Sequence, residues 1–170
     1  MLDDLPLPHP FECRAGSATL RRAAPVDLDE LITLLADDAI SAARGDLALD
    51  ADRDAYASAL EDILADASND LLVVELDGSV VGTLQLTSIP GMTRRGSRRL
   101  LVEGVRVRSA LRSSGIGSAV MRWVADAAAP ALGAAMVQLT SDAARRDAHR
   151  FYERLGYAGS HVGFKYSVPR

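Results

Sequence analysis

Residues 112–118 read Arg-Ser-Ser-Gly-Ile-Gly-Ser, between the apolar run 100–107 and a helical stripe that begins at Ile116. A strand entering a helix through such a stretch leaves helix-end N–H groups open, and the positive end of the helix attracts an anion. Gly115 and Gly117 allow a bulky anion to approach the main chain, and Arg112 can add a charge-assisted bond. The same glycines also suit a tight strand-to-helix turn with no ligand, and spacing alone leaves both readings open. Two familiar phosphate binders are excluded. A Walker loop needs Gly-Lys-Ser/Thr, whereas Gly117 is followed by Ser118 and Ala119. A dinucleotide fingerprint needs a third glycine and an early βαβ unit.

Two side chains near this stretch can handle protons. Glu103 is the only carboxylate in 100–107. Strand alternation would set it on one face with Val105 and Val107, where it could accept a proton or pair with Arg98 or Arg106. Tyr152 follows Phe151 at the edge of an apolar helical stripe, where its hydroxyl can enter a cleft or make a structural hydrogen bond. Of the three histidines, no pair has metal-ligand spacing, so no metal is expected. His149 reads as a solvent-facing helix residue, and His161 falls in the C-terminal tail.

The elements that must position these residues are legible in outline. At 170 residues the chain has one domain's worth of core. Residues 1–16 read as an irregular arm and 17–170 as a single domain. A short strand is expected at 17–23, an amphipathic helix at 25–37 (Leu28, Leu31, Ile32, Leu35) and a second helix at about 50–67. Residues 71–76 and 79–89 form a hairpin through Asp77–Gly78, whose type supplies the positive φ such turns need. After the basic turn 90–99 come a strand at 100–107, the Trp123 helix, a strand at 135–140, a helix carrying Phe151 and a final strand pair at 159–168. The fold class is therefore α/β of the α+β type: a mixed, mostly antiparallel sheet flanked by helices.

Composition narrows the function further. No apolar run approaches membrane-spanning length, and the acidic, proline-broken start is unlike a signal peptide. Cys13 stands alone, which excludes an internal disulfide and makes a reducing, cytoplasmic setting the expectation. Charge is split: residues 1–77 net −13 and residues 78–170 net +9. Either acidic helices happen to precede arginine-rich ones, or two differently charged partners are bound. The basic residues are not interleaved with aromatics, which argues against nucleic acid.

A second signature lies at 148–157, Ala-His-Arg-Phe-Tyr-Glu-Arg-Leu-Gly-Tyr. Together the two stretches resemble the GNAT superfamily of N-acetyltransferases. Its pyrophosphate loop is matched by Arg112, Gly115 and Gly117, and its later helical segment by Ala148, Phe151, Tyr152, Gly156 and Tyr157. The resemblance covers roughly residues 17–168. It implies a sheet splayed between its fourth and fifth strands, with acetyl-CoA in the opening. The pyrophosphate would rest on the N–H groups of Ser113, Ser114, Gly115, Ile116, Gly117 and Ser118, and the pantetheine would pair with the backbone of Val105 and Val107. Where many members carry an asparagine, this chain has Arg145, which could reach a phosphate instead.

The implied reaction poses two proton problems. Neutralising a lysine-like amine of pKa about 10.4 at pH 7 costs roughly 4.6 kcal/mol, and the departing thiolate, near 8.5, benefits from a donor. The resemblance assigns the donor to Tyr152 and the base to Glu103, whose pKa partial burial would have to raise. The expected activity is acetyl transfer to a primary amine, foremost of a small molecule. A protein lysine or N-terminal acceptor, and an acyl-CoA-binding sensor without transfer, are the alternatives. The resemblance also allows a homodimer. Acidic residues Asp37, Asp38, Asp46 and Asp50 would draw in a cationic acceptor.

Overall fold

The computed structural model describes residues 2–43, 45 and 47–168. Its strands are β1 (His9–Cys13), β2 (Gly16–Arg22), β3 (Asn69–Leu76), β4 (Ser79–Ile89), β5 (Arg98–Val107) and β6 (Ala134–Leu139). Between them run α1 (Leu28–Ala36), α2 (Ala39–Ala42), α3 (Arg53–Ala65), α4 (Thr93–Gly96), α5 (Ile116–Trp123), α6 (Ala129–Ala131) and α7 (Arg146–Arg154). The six strands follow chain order across one sheet, antiparallel except for the parallel pair β5–β6.

Two apolar layers hold this sheet. Leu72, Val74, Leu84, Leu86, Leu100 and Val102 face one cluster, with Ile116, Val120, Met121, Trp123 and Val124 of the α5 arm. Val73 and Val80 face the other, with Leu28, Leu31, Ile32 and Leu34 of α1 and Leu60 of α3. Alternate residues of β3 thus serve opposite layers, as the period of two requires. Asp77 and Gly78 turn the β3–β4 hairpin with φ of 51° and 74°, the doubly positive geometry that matches strand twist.

Both ends of the chain depart from the expectation. The N-terminal segment is not an irregular arm throughout: His9–Cys13 pairs with β2, and Leu2 and Leu5 are buried in the first cluster. The alternation there is short and interrupted by Pro10, which an edge strand tolerates. The expected final strand pair does not form. Residues 157–168 follow α7 without regular secondary structure.

Candidate active site

β5 and β6 pair in parallel from Arg98 opposite Ala134 to Val102 opposite Leu139, and then separate. Residues 103–107 continue against β4 alone, so the edge of β5 that faced β6 is open over its last five residues. The sheet forks where the resemblance required it, between what the sequence reading counted as the fourth and fifth strands.

A bulge shapes the open arm. Thr83 stands opposite Arg106 and Gln85 opposite Glu103, so two residues of β5 face Leu84 alone. Gly104 lies in this step with φ of 61°, and such an extra residue breaks the alternation of side chains. Glu103 therefore does not share a face with Val105 and Val107. Val105 and Val107 pack on the α5 cluster. Glu103 falls with Gln85, whose partner Leu71 packs against the α1–α3 layer. Glu103 is also exposed rather than partly buried. Arg98, one of its candidate partners, instead donates to Ser88 Oγ at 2.7 Å.

At the open end of β5 the chain makes a 3-10 turn, Ser109–Leu111, and enters the glycine stretch. Ser113 (φ 65°) and Gly115 (φ 101°) are both left-handed, and Gly115 is the N-cap of α5. Gly115 needs its freedom for this turn, since a Cβ there would meet nothing within 4 Å and yet would be strained. Gly117 lies against Phe151: a Cβ there would meet Phe151 Cζ at 3.4 Å, an ordinary van der Waals contact. The two sequence signatures therefore touch. The first helical amide to find a carbonyl is that of Ala119, on Gly115 O at 3.0 Å, so the amides of Ile116, Gly117 and Ser118 have no acceptor one turn back. The amide of Ser114 is already spent on Leu111 O at 3.3 Å, which removes it from the expected set of anion donors.

The carbonyls of the loop are held from behind. Ser114 O accepts from the Arg14 amide at 2.8 Å, and Ser113 O from Arg14 Nη1 at 3.1 Å. Nothing in the sequence signals this contact, because 99 positions separate Arg14 from Ser113.

Arg112 and Arg145 are engaged elsewhere than foreseen. Arg145 forms a two-pronged ion pair with Asp38, Nη1 to Oδ1 at 2.8 Å and Nη2 to Oδ2. Arg112 donates to Asp37 O at 3.2 Å and stands 3.9 Å from the Asp38 carboxylate. Asp37 accepts from the amide and hydroxyl of Ser109, and the amide bond above all holds its carboxyl below the ordinary range. Asp37 and Asp38 thus clasp α1 to the loop and to α7, and neither is an unoccupied charge waiting for an amine. A signal was present: two aspartates at the negative end of a helix demand cationic partners from elsewhere. Asp50 is exposed, and Asp46 lies outside the described residues.

Tyr152 comes from α7 into this junction. Its ring meets Phe151 and Tyr157 edge-on, at centroid distances of 5.1 and 5.9 Å. Burial pushes its phenol up, while the guanidinium groups of Arg106 and Arg145 pull less strongly the other way. Burial also pushes the Tyr157 phenol up to about 12. Both hydroxyls keep their protons at neutral pH. Arg106, which sequence reading considered only as a partner for Glu103, is thereby placed near the phenol. It also donates to Val105 O at 2.8 Å.

Other candidates lie apart. The arginine turn at 90–97 joins β4 to the start of β5, and ten residues of strand, roughly 30 Å at 3.3 Å per residue, separate it from the loop. His149 bonds the Asp142 carbonyl at 2.9 Å, and His161 bonds Ser160 Oγ in the exposed tail. An open cleft of about 470 Å³ beside the loop is lined by Thr33, Leu34, Ala36, Asp37, Arg108, Ser109 and Ala110. Among the described residues no cluster of ligands could hold a metal, and no helix is long and apolar enough to cross a membrane.

Comparison with known proteins agrees with this geometry. The model of the Acetyltransferase (GNAT) family matches residues 29–157. A transcriptional regulator from Bacillus halodurans C-125 superposes with a TM-score of 0.84 at 38% identity, over 89% of this chain and 99% of that one. A ribosomal-protein-alanine N-acetyltransferase from Brucella melitensis biovar Abortus 2308 shares the fold, with a TM-score of 0.69 at 22% identity over 89% and 99%. An aminoalkylphosphonate N-acetyltransferase from Salmonella typhimurium is 44% identical over 54 residues, 32% of this chain, and the match spans about a third (34%) of that relative's length. Forked sheet, left-handed glycine loop and family match lead to one statement: the chain belongs to the GNAT acetyltransferase family and is an acyltransferase.

Proposed function

We propose that this enzyme transfers the acetyl group of acetyl-CoA to a primary amine of a small molecule by direct attack on the thioester. One observation carries the reading: the open edge of β5, the amides of Ile116 to Ser118 and the partly buried Tyr152 phenol converge at the same end of the sheet. Helix-start amides free of internal acceptors suit linked phosphates. An unpaired strand edge suits the amides of a pantetheine arm, which would pair with the main chain of Val105 and Val107.

On this reading Tyr152 is the proton donor to the departing thiolate, since desolvation keeps its hydroxyl protonated. Glu103, at the apex of the fork but exposed, receives the amine proton through water rather than as a buried base. Arg112 and Arg145 act through the Asp37–Asp38 clasp and hold the loop and α7 in place, instead of contacting phosphate directly in this arrangement. The cytoplasm, where a lone free cysteine persists reduced, is the proposed compartment.

The test is release of coenzyme A from acetyl-CoA across a panel of amines. The panel spans small neutral and cationic amines, aminoalkylphosphonates, and peptides with a free lysine or N-terminus. Turnover with one small-amine class supports the reading. Turnover confined to peptides would replace the acceptor, and tight acetyl-CoA binding without turnover on any amine would remove transfer itself.

A further inference from the structure

Arg21, Arg22, Arg53, Arg112, Arg145 and Arg150 each face a carboxylate of their own chain. The arginines of the β4–β5 connection do not. Among the described residues Arg94, Arg95, Arg98 and Arg99 form no ion pair, and all four are exposed. No Asp or Glu occurs anywhere from 78 to 102. The turn also holds an unusual backbone: Arg94 and Arg95 are left-handed, with φ of 53° and 62°, a conformation that side chains other than glycine seldom adopt. Ser97 Oγ donates to Arg94 O and pins it. Like charges gathered on a strained turn are stabilised by an anion from outside the fold.

Strand register says what lies beside them. Ahead of the Gly104 bulge, Leu100 and Val102 face the α5 cluster, so Arg99, Leu101 and Glu103 share the opposite face. Thr87 and Gln85 of β4 stand across from Leu101 and Glu103, and Met136 and Gln138 of β6 across from Arg99 and Leu101. The α1–α3 layer stops short of this strip, since its apolar cluster contains no residue of β5 or β6. Leu101 and Gln138 are half-buried, and Arg99 and Glu103 are exposed. The strip is polar. Asn69 Oδ1 accepts from Gln85 Nε2 at 2.9 Å and from Thr87 Oγ1 at 2.6 Å. Among the described residues the Gln138 side chain makes no hydrogen bond. Glu103 marks one end, at the fork. At the other, Arg94 Nη1 rests 3.3 Å from Met136 Sδ, a weak acceptor, which brings Arg94 beside Arg99.

Resting on the acetyl-transfer reading above, we propose that the acceptor amine carries an oxyanion several bonds from its nitrogen, read by Arg99 with Arg94. The amine lies towards Glu103, next to the thioester, and the oxyanion meets the guanidinium groups. The amides and hydroxyl between them support the linking chain. Arg99 and Glu103 are four residues apart along β5, roughly 13 Å between Cα atoms at 3.3 Å per residue. Part of that span is covered by the arginine side chain, and the acceptor covers the rest. A molecule whose amine and acid share one carbon is too short to reach both ends. A guanidinium fork matches the paired oxygens of a carboxylate or a phosphonate. An uncharged acceptor gains nothing from it, and a second cation at that end is repelled.

The test measures coenzyme A release by the full-length chain with amino carboxylates and aminoalkylphosphonates of increasing length, beside uncharged amides of equal length. The acids should exceed their amides in kcat/KM by about tenfold or more, the worth of one charge-assisted pair. The shortest acid of each series should be the poorest, and the leading series identifies the oxyanion. Arg99→Gln should reduce the preference through KM rather than kcat, and Arg99→Lys, with the charge but not the fork, should keep part of it. Equal use of acid and amide by the unmodified chain would overturn the proposal. So would a preference that persists in a folded Arg94→Gln/Arg99→Gln variant, or one that is greatest for the shortest acid. Should no amine be turned over, the transfer reading falls separately. Calorimetry of the same probes on the unmodified chain with coenzyme A then decides this one, as it does if the variants unfold. Uptake of the longer acids but not of their amides upholds it, and uptake of neither sinks it.

Discussion

At the scale of single residues, Tyr152 and Gly115 carry the sharpest expectations. Replacing Tyr152 by Phe removes the proposed donor and keeps the ring contacts, so turnover should fall by about a hundredfold, the lower end of what a positioned acid contributes. Acetyl-CoA affinity, measured by calorimetry, should hardly change. The sign of its pKa shift sets the pH behaviour. A phenol raised above 10 stays protonated below that value, so kcat should show no downturn from loss of this donor up to about pH 10. Gly115 is different in kind, since its role lies in the backbone. Gly115→Ala forces a side chain into φ of 101° and should cost about 1–3 kcal/mol of stability in urea unfolding. The same change should raise the KM for acetyl-CoA. Equal KM at full stability would separate the loop's conformation from donor binding. Glu103 taught a lesson at this scale, because one bulged residue moved it to the opposite face from Val105.

Among the elements, the clasp from α1 to α7 is the feature to perturb. Asp38 is only 10% exposed at its side chain and holds Arg145, itself 21% exposed. Breaking such a pair by removing one partner leaves a buried charge uncompensated. Asp38→Asn should therefore cost about 3 kcal/mol in chemical denaturation. If α7 shifts in consequence, kcat should fall more than donor affinity, because Tyr152 rides on that helix. How far could the sequence have given this? Periodicity marked α1, α3, α5 and α7, and the Asp77–Gly78 turn, because local side-chain spacing determines them. The glycine loop and the Ala148–Tyr157 segment were legible because their chemistry is local too. What escaped was pairing across the chain: Arg145 with Asp38, 107 positions away, Arg14 with Ser113, and the register step at Gly104. Such partners are chosen by tertiary packing, and composition near each residue carries no trace of them.

For the molecule as a whole, the opposed charges of the two halves are in part internal stitching. Asp37 and Asp38 of the acidic half meet Arg112 and Arg145 of the basic half. Within the first half, Arg21 grips Asp27 with two bonds of 2.8 Å and Glu75 with a third. That grip holds the Asp27 carboxyl below its ordinary 3.8. A lowered carboxyl contributes stability that is complete above about pH 3.8 and lost as pH falls through the folded value. Acid unfolding of the native chain should therefore steepen below pH 3.8, and Asp27→Asn should flatten that limb while lowering stability at neutrality by about 3 kcal/mol. An identical acid limb in the variant would assign the effect to other groups.

The turn between β1 and β2 has a reach beyond its size. Arg14 fastens the carbonyl side of the glycine loop, so the amides on the other side inherit their aim from a residue outside the loop. Replacing Arg14 by Ala would leave every recognised signature, strand β1 and the buried Leu2 and Leu5 in place. It would nonetheless loosen the proposed anion seat, and on the proposed function affinity for acetyl-CoA should weaken more than kcat.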